Sequence, residues 1–88
     1  MTDEDYMKIC LKLSKEALEN GDPPVGAIVV VDDKIIGRGI ESGRSTNDIT
    51  NHAEILSVKD SINKGNQKLL HRATMYTTHE PCLMCLIT

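Results

Sequence analysis

Tyr6, Cys10, Leu13 and Ala17 recur at i, i+4, i+7 and i+11 along an otherwise polar stretch. That spacing predicts an amphipathic helix over 3–20, with Ile9 and Leu18 widening its apolar stripe. Thr2 or Asp3 can cap its start, and Gly21 can stop it before "DPP". The pattern then changes period. "VGAIVVV", 25–31, is a nearly continuous β-branched run and predicts a strand buried on both faces. Asp32-Asp33 supplies a turn, and "KIIGRGIE", 34–41, returns as a second strand, so the pair reads as a hairpin. The polar "SGRSTND" is a loop.

Helical spacing resumes over 51–64, capped by Thr50 or Asp48 and ended by Gly65. Its inner stripe reads as Ile55, Leu56, Val58, the Lys59 stem and Ile62. "NQKLLHR" connects it to "ATMYTTH", 73–79, a third strand, and Pro81 suits the first position of a further helix. Strands alternating with helices predict an α/β layer. A strand–helix–strand crossover is expected to be right-handed, with strand 73–79 parallel to the central strand of the sheet.

Length and charge narrow the function. A chain of 88 residues is at most one domain, 1–88, and a chain of that size buries only about 60–65% of its unfolded surface. Metal, oligomerisation or a larger parent chain would add stability. Two tyrosines, without Phe or Trp, are too few for a stacking platform on single-stranded nucleic acid. Ten basic residues against thirteen acidic ones, scattered, favour a small-molecule substrate over a long polyanion, so RNA is a possible but not a favoured partner. The N-terminus reads as lacking a signal peptide, no apolar run approaches membrane-spanning length, and no membrane partner is expected. Three cysteines fit a reducing cytoplasm better than a disulfide framework.

The chemistry sits in "NHAEI" and "EPCLMC". Cys82 and Cys85, at i and i+3 of a helix N-terminus, present both thiols to one side, where the helix dipole favours thiolate. A redox pair would belong after the first strand of a thioredoxin-like pattern, and this one follows the third. If both helix N-termini meet at one rim of the sheet, His52 joins Cys82 and Cys85. Three protein ligands with one open tetrahedral position is the catalytic zinc arrangement, in which bound water becomes a nucleophile near neutral pH. Glu54, two positions past His52, is placed to serve as the base that takes and returns a proton. The competing arrangement is a closed structural zinc site with His79, Cys10 or His71 as fourth ligand. Taken singly, Cys10 reads as a small core residue, His79 as a rim histidine and His71 as surface.

His-x-Glu followed by Pro-Cys-x-x-Cys resembles the zinc-dependent cytidine/deoxycytidylate deaminase superfamily. "DPPVGAIVV" is similar to the first strand of cytosine, guanine and tRNA adenosine deaminases, and the likeness runs from Tyr6 to the end. The resemblance implies a three-layer α/β/α sheet with helices on both faces, here ending after the third strand and the start of the third helix. It implies Zn²⁺ held by His52, Cys82 and Cys85, with Glu54 shuttling protons and the Ala53 or Cys82 backbone N–H orienting the base. The expected reaction releases ammonia from a free nucleobase or nucleoside. Adenosine deamination in tRNA and a non-catalytic zinc-binding remnant are the alternatives. A homodimer is what the resemblance implies for the full-length family.

Two departures from the family stand out. Where many of these deaminases carry a base-binding Asn eleven positions before the ligand histidine, this chain has Glu41. An ionised carboxylate only accepts hydrogen bonds, so Glu41 would suit a substrate edge rich in N–H groups, such as that of guanine; the competing reading is a solvated loop glutamate. Ile49 and Asn51 replace residues common in the family's "DPTAHAE", and "STNDITNHAE" looks closer to guanine-type and general nucleoside enzymes than to tRNA enzymes. The family also continues past the point that Thr88 occupies, with strands and helices that cover the sheet.

Overall fold

The computed structural model describes residues 2–42 and 52–78. Helix α1 spans Asp3–Glu19, strand β1 Gly26–Val31, strand β2 Lys34–Ile40, helix α2 Ala53–Asn63, and strand β3 Thr74–Thr77, preceded by a 3-10 helix over Gln67–Arg72. Thr2 caps α1: its hydroxyl accepts from the Asp5 N–H, and the Asp5 carboxylate accepts from the Thr2 N–H at 2.9 Å, a reciprocal capping box. Gly21 takes φ +84° just past the end of α1, and Gly65 takes φ +83° just past α2. Asp32 and Asp33 both lie at positive φ, 49° and 65°, the conformation that a two-residue hairpin turn needs. The hairpin and both helix stops are therefore as expected.

The sheet order is β2-β1-β3, and β1 runs antiparallel to both neighbours. Strand 73–79 was expected parallel to the central strand, and this is corrected. The crossover through α2 joins β2 to β3, which do point the same way, but the hairpin has inserted the reversed β1 between them. The layering follows from β1 being apolar at every position. Ile28 and Val30 face one side with Tyr6, Cys10, Ile9 and Leu13 of α1. Val29 and Val31 face the other with Ile36, Val58 and the 3-10 helix residues Leu69 and Leu70. Helices thus cover both faces of the sheet, the three-layer arrangement.

The inner face of α2 differs from the expected stripe. Its buried residues are Ala53, Glu54, Ser57 and Ser61, while Ile62 is exposed and Lys59 points to solvent. The cause lies in β2. A Cβ at Gly37 would collide with Ser61 Oγ and the Ser57 carbonyl, and one at Gly39 with the Ala53 carbonyl and, at 2.6 Å, the Ser57 nitrogen. The helix backbone rests directly on two glycines, so only small residues fit between. The serine hydroxyls are satisfied inside the helix, Ser57 donating to the Glu54 carbonyl at 2.7 Å and Ser61 to the Ser57 carbonyl at 3.0 Å. On α1, likewise, Leu18 is left exposed and Ser14 takes a buried place. Helix α2 starts at Ala53 with His52 as its N-cap, later than the expected 51; the proposed caps Asp48 and Thr50 lie outside the described residues.

The end of the sheet where the hairpin turns is closed by a tyrosine clasp. The rings of Tyr6 and Tyr76 stand 5.0 Å apart, and their hydroxyls donate to Asp33 and Asp3 respectively. Those bonds to carboxylates, with burial, push both phenols up to about 12.

Two measurements check this packing. Gly39→Ala should cost about 3 kcal/mol in urea unfolding, the upper end of overpacking, because it strikes helix backbone rather than a movable side chain. Gly21→Ala, where nothing lies within 4 Å, should cost only the left-handed conformation, about 1 kcal/mol. Because the folded phenol values lie above the ordinary value of 10.0, the clasp contributes fully below pH 10 and is lost as pH rises towards 12. Tyrosinate absorbance should titrate above pH 10 in step with falling stability, and Tyr6→Phe should reduce that alkaline loss.

Candidate metal and proton-transfer site

Strands β2 and β3 leave the sheet at the same rim, on either side of the start of β1. The Glu41 N–H donates to the Val25 carbonyl at 2.9 Å, and the Thr78 N–H to the Gly26 carbonyl at 3.1 Å. The Gly26 N–H in turn donates to Thr78 Oγ1 at 3.1 Å. These bonds fix the two exits, and the seating of α2 on Gly39 brings the helix start to the same place. His52, the N-cap, and Glu54, in the first turn, therefore stand at the rim where β3 ends.

His52 leaves 54% of its side chain exposed, while Glu41 beside it is buried, with its Oε2 3.2 Å from His52 Nδ1. Glu54 is also buried, and the Thr77 hydroxyl donates to its Oε1 over a long 3.4 Å. Ala53 is fully buried as the first residue of α2, where helix N–H groups have no intrahelical acceptor. Two separate pairs thus stand by the positive end of a helix, His52 with Glu41 and Glu54 with Thr77.

The other expected ligands divide clearly. Cys82, Cys85 and His79 lie outside the described residues. Cys10 sits in the core on the α1 face, its thiol donating to the Tyr76 carbonyl at 3.3 Å, and burial pushes it up to about 11. The whole sheet separates it from α2, so it is not a fourth ligand to His52. His71 lies on the exposed 3-10 helix, its Nδ1 2.7 Å from the Lys68 carbonyl, beyond the far end of β3. Among the described residues no three His, Cys, Asp or Glu side chains gather as a metal cluster. The donor types nevertheless suit zinc, since the exposed His52 imidazole and the two thiols of the C-x-x-C motif in the sequence make a nitrogen and sulfur set.

Sequence reasoning placed His52 and Glu54 at the rim and missed two contacts there. The sequence marks Thr77 only as a strand residue and offers Glu41 a substrate or solvent as partner, not His52. No local signal announces either contact, because each depends on which strand ends meet. Among the described residues no helix is long and apolar enough to cross a membrane.

The model of the cytidine and deoxycytidylate deaminase zinc-binding region matches residues 1–87. The tRNA-specific adenosine deaminase of Buchnera aphidicola subsp. Schizaphis graminum is 45% identical over 83 residues, covering 94% of this chain and 55% of that protein. The enzyme of the same name from Aquifex aeolicus is 40% identical over 85 residues, covering 97% of this chain and 56% of its own length. The chain thus spans about half the length of the curated relatives it matches. Among solved structures, guanine deaminase from Bacillus subtilis superposes with a TM-score of 0.85 at 33% identity, covering 98% of this chain and 55% of that one. A structure from a study of tRNA:A34 deaminases gives 0.83 at 35% identity, covering 93% of this chain and 63% of that one. The printed names of these relatives thus include both tRNA-specific adenosine deaminases and a guanine deaminase. A match across residues 1–87 is decisive for kinship: the chain belongs to the cytidine and deoxycytidylate deaminase family, through its zinc-binding region.

Proposed function

We propose that this chain carries the zinc-binding and proton-transfer half of a hydrolytic deaminase that acts on adenosine in tRNA. The observation that carries the substrate is the likeness, at 40–45% identity over nearly the whole chain, to proteins named tRNA-specific adenosine deaminases. His52, Cys82 and Cys85 would hold zinc, which when bound supplies a Lewis acid that makes water nucleophilic near neutral pH.

The chain's own residues do the remaining work. Glu54, buried and held at one oxygen by Thr77, takes a proton at its carboxylate and delivers it to the departing nitrogen. A carbon–oxygen bond forms, the carbon–nitrogen bond breaks, and ammonia leaves. The N-terminus of α2, with the Ala53 N–H at its head, favours the negative charge that develops in between. On the outer face of α1, Lys8, Lys12 and Lys15 line one surface groove of about 410 Å³, so basic groups are locally grouped despite the net charge of −3.

A free purine base is the second reading, favoured by the likeness to guanine deaminase. Glu41 adds to it as an acceptor for substrate N–H groups if its carboxylate turns from His52.

Glu54→Gln should keep the metal content of the parent chain while turnover falls by about 10²–10⁴-fold, the usual share of a general acid–base group. Unchanged turnover would remove Glu54 from the mechanism. Substrate class is read by offering tRNA and free guanine side by side. Inosine in tRNA, with binding that weakens steeply as salt rises, is the expected result; ammonia from guanine alone would establish the second reading instead.

A further inference from the structure

The outer edge of β2 carries a contact that the proposed function does not use. Among the described residues β2 pairs only with β1, at one end of the order β2-β1-β3. The Glu41 N–H donates to the Val25 carbonyl, which makes 41, 39 and 37 the positions of β2 bonded to β1. Arg38 and Ile40 therefore turn their N–H and C=O groups outward. Such a row is a template for another strand unless something covers it. Here the Arg38 N–H donates to Asp60 Oδ2 of α2 at 2.9 Å, and the same oxygen stands 2.9 Å from Lys64 Nζ. Slight burial raises the Asp60 carboxyl, but Lys64 and the Arg38 N–H outweigh it and hold the group below its ordinary value. The acceptor is thus a carboxylate at neutral pH. This bond is not what locates the helix, because Gly37 and Gly39 already meet the α2 backbone.

We propose that Asp60 guards this edge: its carboxylate withholds the Arg38 N–H from strand addition, and the strand it keeps out is β2 of a second copy of this chain. The edge is self-complementary. With two β2 strands antiparallel about Gly39, Arg38 of each would face Ile40 of the other, and the outward N–H groups at both positions would meet carbonyls. Glycine would meet glycine at the centre, and the two arginines would not oppose each other. Asp60 stands in the way of that ladder. Its oxygen occupies the place of the incoming carbonyl, and its charge repels the carbonyl that would replace it. The guard needs neither metal nor substrate.

Amide hydrogen exchange on the full chain, followed by NMR at low and high protein concentration, reads this residue by residue. The expected wild-type result is an Arg38 amide protected to the same degree at both concentrations. Asp60→Ala should speed its exchange by about tenfold in dilute solution, the loss of one hydrogen bond. At high concentration Arg38 and Ile40 should gain protection together, as the sedimenting mass doubles. Adding Arg38→Pro to Asp60→Ala removes the donor and should abolish the association, a rescue that loss of a merely structural anchor would not show. An Asp60→Ala chain whose Arg38 and Ile40 amides ignore concentration would overturn the inference, as would association that survives Arg38→Pro. A wild-type Arg38 amide that exchanges as fast as an unstructured one would overturn it equally, with no need for a variant to fold.

Discussion

Everything at the rim depends on the backbone contact between α2 and β2. Gly37 and Gly39 present bare backbone to Ala53, Ser57 and Ser61, and the helix settles closer than side chains larger than serine would allow. That seating determines where the first turn of α2 ends up. It stands over the exits of β2 and β3, so His52 meets Glu41 and Glu54 meets Thr77. A larger residue at Gly39 would therefore damage stability and site geometry through one displacement. The two effects are separable in principle, because Gly37 lies a further two residues from the exit of β2.

The rest of the molecule holds the opposite end rigid. The Tyr6 and Tyr76 rings tie the start of α1 to β3, and their hydroxyls pin the hairpin turn and the first turn of α1. The polar clasp and the reactive rim thus lie at opposite ends of β1, with an entirely buried strand between them. Two buried carboxylates at the rim are costly to keep unless something meets their charge. Helix α2 supplies part of that compensation through its N-terminus, and His52 meets Glu41 directly.

The parts of the fold that local chemistry dictates were legible in the sequence. The Thr2 cap, the Asp32-Asp33 turn, the two glycine stops and the buried β1 could all be read from short windows. The face of α2 could not. Apolar periodicity gives weight to Ile55, Leu56 and Ile62, whereas burial is decided by the glycines of another strand, thirteen or more residues away. The direction of β3 relative to β1 was obscured for a related reason, since a crossover sets the sense of the strands it joins and says nothing about which strand lies between them. For the site, His52 and Glu54 were legible because their spacing is itself the signal. Glu41 was legible only as a departure, and its partner is a product of tertiary structure.

Net charge was the least useful guide to substrate. It sums the whole surface, whereas binding to a phosphate backbone depends on where the positive groups lie within about a Debye length of the ligand. Lys8, Lys12 and Lys15 fall at i, i+4 and i+7 and so share one side of α1, with Glu4, Glu16 and Glu19 each one turn from one of them. A chain with net charge −3 is thus compatible with a polyanionic substrate, provided its basic groups and its reactive rim address the same molecule. That condition concerns the placement of charge, and a composition count contains no information about placement.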